Sequence, residues 1–561
     1  MGILYHIISY KILSFFKTTT QMNAQSIAKS VASLIVFGGF AFCAYTFTFD
    51  SIQYMMQTAK MGSFLLHRFL SMLLYVFFLS INVGNIIVSY ATLYRSKETT
   101  YLLTKPISHT QLFVVKFLDN FFYSSGTLFM IAIAVLFGYG TYFQLHWTFY
   151  VNTLLFLFFP FMLIAASLGV TALMGMVILA RKIGAKATLT TIVVGYLGVV
   201  IAYFKMTNPG RLVNSVMKSF PNTDKYFGFL DPPASKFLPN HWMVEVLYWN
   251  LKGNMTYVLL NTAMLIVACI LCLTVMILVA KKFYYKSWLA HLELRAKSET
   301  EATATGVFSF SRPSVFESQT AALLKKEFWQ FIREPSQWIH LGIIGLLIII
   351  FVASIFQLQL GTNNPYLETV SYLVMFVFNA FLITSVALRF VYPIMSIEGL
   401  SFWKVKSAPI KMSKVYWLKF MIVVIPMLVA NEVLMIASHR AIAHHQVIVV
   451  TGLLVSVFVA LTIVSMNLGA GTFFADYRET NPIKISSSQG ATVTFLLTIA
   501  YLVMIIALLF IPLYGYFQMV FKGVKLVSGM FIFSIGLLVV ASIIIMLISH
   551  LVGLKAIKRD F

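Results

Sequence analysis

The chain has 561 residues, of which 60% are hydrophobic and 11% charged, and its 41 Lys and Arg against 18 Asp and Glu give a formal net charge of +23. Soluble domains are about 25% charged, so this composition excludes a soluble enzyme, a secreted disulfide scaffold and a disordered chain. The basic excess indicates membrane topology rather than nucleic-acid binding, because the charges are spread thinly between long apolar runs.

The first half consists of an amphipathic stretch and six apolar runs. Lys11 and Lys17 flank an apolar helical face near the start, as in helices that lie along a membrane surface. No cleavable signal peptide is expected, because polar, Lys-containing sequence extends well beyond a short charged start. A membrane-spanning helix needs roughly 20 apolar residues. The runs that approach or exceed this length are 31–49, 69–93, 117–139, 148–179, 188–204 and 257–280.

A polar segment rich in Ser, Thr and Ala at 298–313 predicts a cytosolic linker between two halves. The expected division is a first domain at 1–290, the linker at 291–315 and a second domain at 316–561. The second domain opens with another amphipathic stretch, which has Phe328 on its apolar face and Arg333 on its polar face. The apolar runs that follow are 339–358, 370–397, 420–436, 447–474, 491–514 and 527–552.

Together these elements predict an all-α polytopic membrane protein. We expect about twelve transmembrane helices in two parallel six-helix repeats, with an amphipathic surface helix before each half. The pair Pro106-Ile107 in the first half matches Pro409-Ile410 in the second, at an offset of 303 residues. Most Lys and Arg residues fall in segments that are cytosolic if both termini are inside, so we predict cytoplasmic N- and C-termini.

The sequence lacks the common catalytic and metal motifs. It has no G-x-x-x-x-G-K-[ST] P-loop, no HExxH pair and no cysteine cluster. We therefore expect that the chain is not an enzyme and binds no metal or cofactor itself. The nearest metal candidate is the group His439, His444 and His445, which we interpret as part of an outer interfacial loop. Arg389 is the clearest charge within a span; it lies on one predicted helix with Glu398 and can reach the inner headgroups.

Two inner loops, 94–116 and 397–419, share a composition. Each combines an acidic residue, several Lys or Arg residues and a Pro-Ile pair before the next span. Because proline stops a helix, each loop is predicted to hold a short helix along the membrane surface. Two such related loops suit docking onto a symmetric soluble partner. Two ordinary positive-inside loops are the alternative.

Several segments are similar to one transporter family. They are 95–98 with Lys105-Pro106-Ile107 and Lys116, Leu324-Lys-Lys-Glu-Phe-Trp329 with Arg333-Glu-Pro335, Phe237-Leu-Pro239 before Trp242, and Glu398 with Pro409. On these segments the chain resembles the permease subunits of ABC exporters of the ABC-2 type, in the long form that fuses two six-span halves.

The resemblance implies a permease subunit of the plasma membrane that moves an amphiphilic or hydrophobic substrate (peptide, lipid or drug) out of the cell by alternating access. It also implies a separate P-loop ABC ATPase, in two copies, which holds the ATP and Mg, and no nucleic-acid partner. The residues that would couple to this ATPase are Arg95, Lys97, Glu98, Pro106, Lys116, Phe328, Arg333, Glu398, Pro409, Lys414 and Lys419.

Three questions stay open at the level of sequence. Lys105 aligns with Ala408, so the two halves need not dock a partner equivalently. An ion-gradient-driven secondary transporter of two six-helix halves is an alternative function. A sensor or immunity protein that uses the same fold without transporting is another.

Overall fold

The computed structural model describes residues 62–208, 226–301, 318–332, 365–442, 446–479, 482–486, 488–522 and 529–558, most of 38–60, and a few single positions. The chain forms two compact units, Met1–Thr303 and Ala304–Phe561. The division lies within the segment predicted as a linker. All regular elements among the described residues are helical, as expected for an all-α membrane protein.

The first unit contains eight described α-helices, which we number in chain order. They are α1 (Gly62–Ser89), α2 (Lys97–Leu103), α3 (His109–Tyr142), α4 (Trp147–Thr153), α5 (Phe159–Ile183), α6 (Ala185–Thr207), α7 (Pro239–Leu251) and α8 (Met255–Glu301). Helix α5 packs most extensively against α8 and then against α1, and α7 lies against both α8 and α1.

Helix α8 is longer than its apolar run predicts. Its 47 residues extend about 70 Å at 1.5 Å per residue, against a hydrocarbon thickness of about 30 Å. The extension continues to Glu301, inside the predicted linker. Ala, Leu, Lys and Glu are abundant in this part, and all four favour helix, so the helix continues where apolar character ends.

The second unit contains the other eight described α-helices. They are α9 (Ser318–Ile332), α10 (Pro365–Phe390), α11 (Trp403–Lys406), α12 (Met412–Ile442), α13 (Gln446–Phe473), α14 (Pro482–Ser486), α15 (Gln489–Phe521) and α16 (Gly529–Ala556). Helix α13 packs most extensively against α16, and α10 packs against α15, α12 and α13. Their inward-facing side chains form a large apolar core centred on residues such as Ile383, Ile463 and Ile505.

Among the described residues, nine helices are long and apolar enough to cross a membrane. They coincide with nine of the predicted runs, so the chain is a multi-pass helical membrane protein. The predicted run at 117–139 lies in α3, where Phe129–Tyr142 is a shorter apolar stretch. The runs at 31–49 and 339–358 and the amphipathic stretch near Lys11 lie partly or wholly outside the described residues.

Breaks after α1 and α10 shape the two predicted inner loops. Helix α1 continues as a π-helical turn, Tyr90–Tyr94, before the short α2 begins. Helix α10 gives way to 3-10 turns at Tyr392–Ile394 and Ser396–Phe402. Both loops contain a short helix, and each helix ends before the Pro-Ile pair.

The break after α10 corrects the interpretation of Arg389. This residue lies in the last turn of α10 and does not share a continuous helix with Glu398. Pro393 lacks a backbone N–H for the helical ladder, and Gly399 adopts a positive φ of 63°, which glycine tolerates without steric cost. The chain therefore turns between the two charges.

Gly471 permits close approach of α13 to the turn after α10. An added Cβ there would overlap the backbone carbonyl oxygen of Tyr392. We expect Gly471→Ala to lower the free energy of unfolding by about 1–3 kcal/mol, the usual cost of overpacking. Thermal unfolding in detergent measures the change. Gly515→Ala is the matched control, because nothing lies within 4 Å of an added Cβ at that position; equal effects of the two would contradict the packing argument.

Candidate functional site

A largely buried cluster of two lysines and two glutamates, in which Lys326 is about one-third exposed, lies at the predicted cytosolic base of the second unit. Lys419 Nζ donates to Glu327 Oε1 at 2.7 Å and lies 2.6 Å from Glu398 Oε1. Lys326 Nζ contacts Glu398 Oε2 at 2.5 Å. Lys419 is fully buried, and both carboxylates are nearly so. We call these four residues the base cluster.

Three separate elements supply the base cluster. Lys326 and Glu327 lie on α9, Glu398 lies in the 3-10 turn Ser396–Phe402, and Lys419 lies on α12. The cluster contains two positive and two negative charges, so burial leaves no net charge. An ion pair taken out of water is retained only where geometry and further hydrogen bonds repay its desolvation. The cluster therefore holds α9 against the N-terminal part of α12.

The first unit has a simpler counterpart of the base cluster. Lys116 Nζ, on α3, lies 2.7 Å from Glu98 Oε2 on α2, and Lys116 is buried while Glu98 is about half exposed. Arg95 and Pro106 are exposed, and the backbone of Lys97 begins α2. Sequence matching thus picked out a lysine and an acid that do pair in each unit, Lys116 with Glu98 and Lys419 with Glu398.

The other predicted coupling residues of the second unit lie around the base cluster or outside the described residues. Phe328 is half-buried on α9, and Pro409 is exposed. Lys414 Nζ reaches Gln319 Oε1 on α9 at 3.5 Å, a marginal hydrogen-bond distance. Arg333 lies outside the described residues.

Sequence reasoning missed Lys326 and Glu327 as site residues. Both stand within the segment 324–329 that carries the resemblance, but the apolar-face argument selected Phe328 instead. One signal was present, because Glu327 is acidic and follows Lys325 and Lys326 on an amphipathic helix. A residue that only contacts lipid headgroups at such a position is expected to be a cation.

The histidine group near the end of α12 differs from its interpretation as a loop. His439 lies within α12, is buried, and packs edge-on against Tyr372 with ring centroids 5.8 Å apart. His444 and His445 lie outside the described residues. Helix α12 continues to Ile442, beyond the predicted end of its span at residue 436.

Comparison with known families adds one finding. A family model described as "Putative ATP-binding cassette" matches residues 23–560. No curated protein and no solved structure matches the chain.

This match corrects two predictions from the sequence. The prediction that the chain is not an enzyme is wrong, and so is the prediction that a separate P-loop ATPase serves it, because the family is described as an ATP-binding cassette and covers nearly the whole chain. The first prediction rested on absent motifs, and the second rested on the resemblance to permease subunits.

The described residues do not fit a P-loop nucleotide site. A P-loop joins a strand to a helix through a glycine-rich turn, whereas every regular element in the described ranges is helical. We therefore assign no step of transport to ATP bound by these residues.

Proposed function

The chain belongs to the ATP-binding cassette family, and from that premise we propose that it is the membrane-spanning part of an exporter. It would move an amphiphilic or hydrophobic substrate, such as a peptide, lipid or drug, out of the cell by alternating access. We propose the plasma membrane as its location, with both termini cytoplasmic. The nine apolar helices found among the described residues and the distribution of Lys and Arg support this assignment.

The base cluster is the single observation that carries the proposal. Alternating access requires that motion at the cytosolic surface reach the membrane helices. Lys419 joins Glu327 on the surface helix α9 to Glu398 in the turn after α10. Because these contacts are buried and short, α9 and the N-terminal part of α12 should move as one body. The candidate residues Glu398 and Lys419 would therefore transmit motion rather than bind substrate.

Similar packing in the two units supports an internal duplication. The most extensive helix contact in the first unit joins α5, which holds most of the predicted fourth span, to α8, which holds the predicted sixth span. The corresponding contact in the second unit joins α13 to α16, which contain its fourth and sixth spans. We propose that the remaining spans complete two six-helix repeats, twelve helices in all.

Uptake into inverted membrane vesicles tests the proposal. Vesicles from cells that express the chain should accumulate a fluorescent amphiphile when ATP is added, above vesicles without the chain. We expect Glu398→Gln to reduce this uptake at least tenfold, because the substitution removes the charge that joins Lys326 and Lys419. Lys404→Gln is the control: Lys404 is exposed on α11 and belongs to no part of the base cluster.

Two results would each contradict one part of the proposal. One is uptake that requires an ion gradient and persists without ATP, which would favour the secondary transporter. The other is normal ATP-dependent uptake by Glu398→Gln at equal expression, which would remove the base cluster from the transport cycle.

A further inference from the structure

A second buried charge cluster lies in the first unit, near the start of α1. Arg68 Nη2 donates to Asp231 Oδ2 at 2.5 Å and to Glu245 Oε1 at 2.6 Å. The three side chains are each about 5–6% exposed. Asp231 follows the 3-10 turn Gly228–Leu230, and Glu245 lies on α7. The cluster thus joins the segment 228–251 to α1.

The charges of this second cluster do not balance. One buried cation, Arg68, faces two buried carboxylates, and the other cation that acts on Asp231, Lys236, is exposed. An uncompensated buried charge costs several kcal/mol. A bound cation would remove this excess negative charge.

Three side chains of the cluster can supply metal ligands. One ligand atom each from Asp231, His241 and Glu245 lies within 4.8 Å of the other two. His241 and Glu245 are one helical turn apart on α7, with Nε2 and Oε1 separated by 3.9 Å. Trp249 Nε1 donates to Glu245 Oε2 at 2.6 Å, a contact of the kind that orients ligating carboxylates.

A small cavity adjoins these ligands. It has a volume of about 20 Å³ and is lined in part by Arg68, Asp231 and His241, which is room for about one water molecule. The buried Nε–H of Arg68 has no hydrogen-bond partner among the described residues. A water or hydroxide ligand on a metal could occupy the cavity and accept this hydrogen bond.

We propose that Asp231, His241 and Glu245 form a binding site for one divalent transition metal, best represented by Zn²⁺. One imidazole and two carboxylates are a common donor set for Zn²⁺, whereas Ca²⁺ prefers oxygen ligands throughout. The metal would supply the missing positive charge and hold α7 and the turn before it against α1. The site is structural, and the fourth ligand is a hydroxide, which balances the second charge of the metal and accepts the hydrogen bond from Arg68 Nε–H.

Zinc titration of the purified full-length chain tests this site. The protein carries a tag without histidine, is stripped with EDTA, and is titrated by isothermal calorimetry in detergent. We expect micromolar or tighter binding of Zn²⁺ and at least tenfold weaker binding in Asp231→Asn and His241→Asn. His146→Asn is the matched control, because His146 is exposed at the start of α4 and asparagine also caps helices well.

The assay separates failure of the metal site from failure of the exporter assignment, because it requires no transport. Equal zinc affinity in the wild type, Asp231→Asn and His241→Asn would overturn the site, as would tighter binding of Ca²⁺ than of Zn²⁺. If either variant loses helical circular dichroism, the test is instead the shift in melting temperature that Zn²⁺ causes in the wild type and in Glu245→Gln. No shift in the wild type, or the same shift in Glu245→Gln, would also overturn the proposal.

Discussion

Replacing Lys419 by methionine is expected to lower the free energy of unfolding by about 3–5 kcal/mol, the usual cost of breaking a buried ion pair. Methionine keeps most of the side-chain volume, so the effect comes from charge. Glu327 loses its 2.7 Å partner, and Lys326 alone must balance both buried carboxylates. Because α9 is then held less firmly, uptake into inverted vesicles should fall with stability.

Thermal unfolding in detergent measures this loss, and the chain offers a matched control. Lys116→Met removes the corresponding lysine of the first unit, whose partner Glu98 is about half exposed. Water can solvate Glu98, so this change should cost about 1 kcal/mol or less. Adding Glu327→Gln to Lys419→Met restores the charge balance and should recover part of the stability. Equal losses in Lys419→Met and Lys116→Met would refute the role of burial.

Replacing Arg68 by methionine is expected to cost a similar 3–5 kcal/mol in the first unit. Arg68 is the shared partner of Asp231 and Glu245, and both carboxylates stay buried without it. Burial already raises the pKa of Asp231 to about 6 despite the nearby guanidinium. Removing that guanidinium leaves both buried carboxyl groups without their shared partner, so the segment 228–251 should detach from α1.

Limited proteolysis and thermal unfolding together measure this detachment. We expect faster cleavage within 226–254 in Arg68→Met than in the wild type. Arg181→Met is the control, because the pair of Arg181 with Glu293 at 2.9 Å is about half exposed on both sides. An exposed pair contributes about 1 kcal/mol or less. Unchanged cleavage in Arg68→Met would show that other contacts hold the segment.

The sequence predicted the helical membrane architecture well because long apolar runs have few folded solutions. Within a bilayer, backbone polar groups must bond within the segment, so an apolar run of 20 residues becomes a helix. Nine described helices coincide with predicted runs. The helix ends were predicted less well: α8 continues to Glu301, where helix-forming polar residues replace apolar ones.

The candidate site was predicted in part. The matched positions Lys116 and Lys419 were identified from the repeat, and both are buried lysines paired with an acid from the preceding loop. Glu327 was missed because it lies 92 residues before its partner Lys419, and no spacing rule connects them. The family comparison, rather than any residue pattern, corrected the prediction about ATP.

By itself, the sequence determined that this chain is a multi-pass helical membrane protein with a strongly basic balance. Apolar length and composition act locally along the chain, so they can be read without knowing which helices touch. Only the tertiary structure decided which charges are buried together. Arg68 meets Asp231 and Glu245 across 163 and 177 residues, since charge pairing depends on distance in space, which helix packing sets.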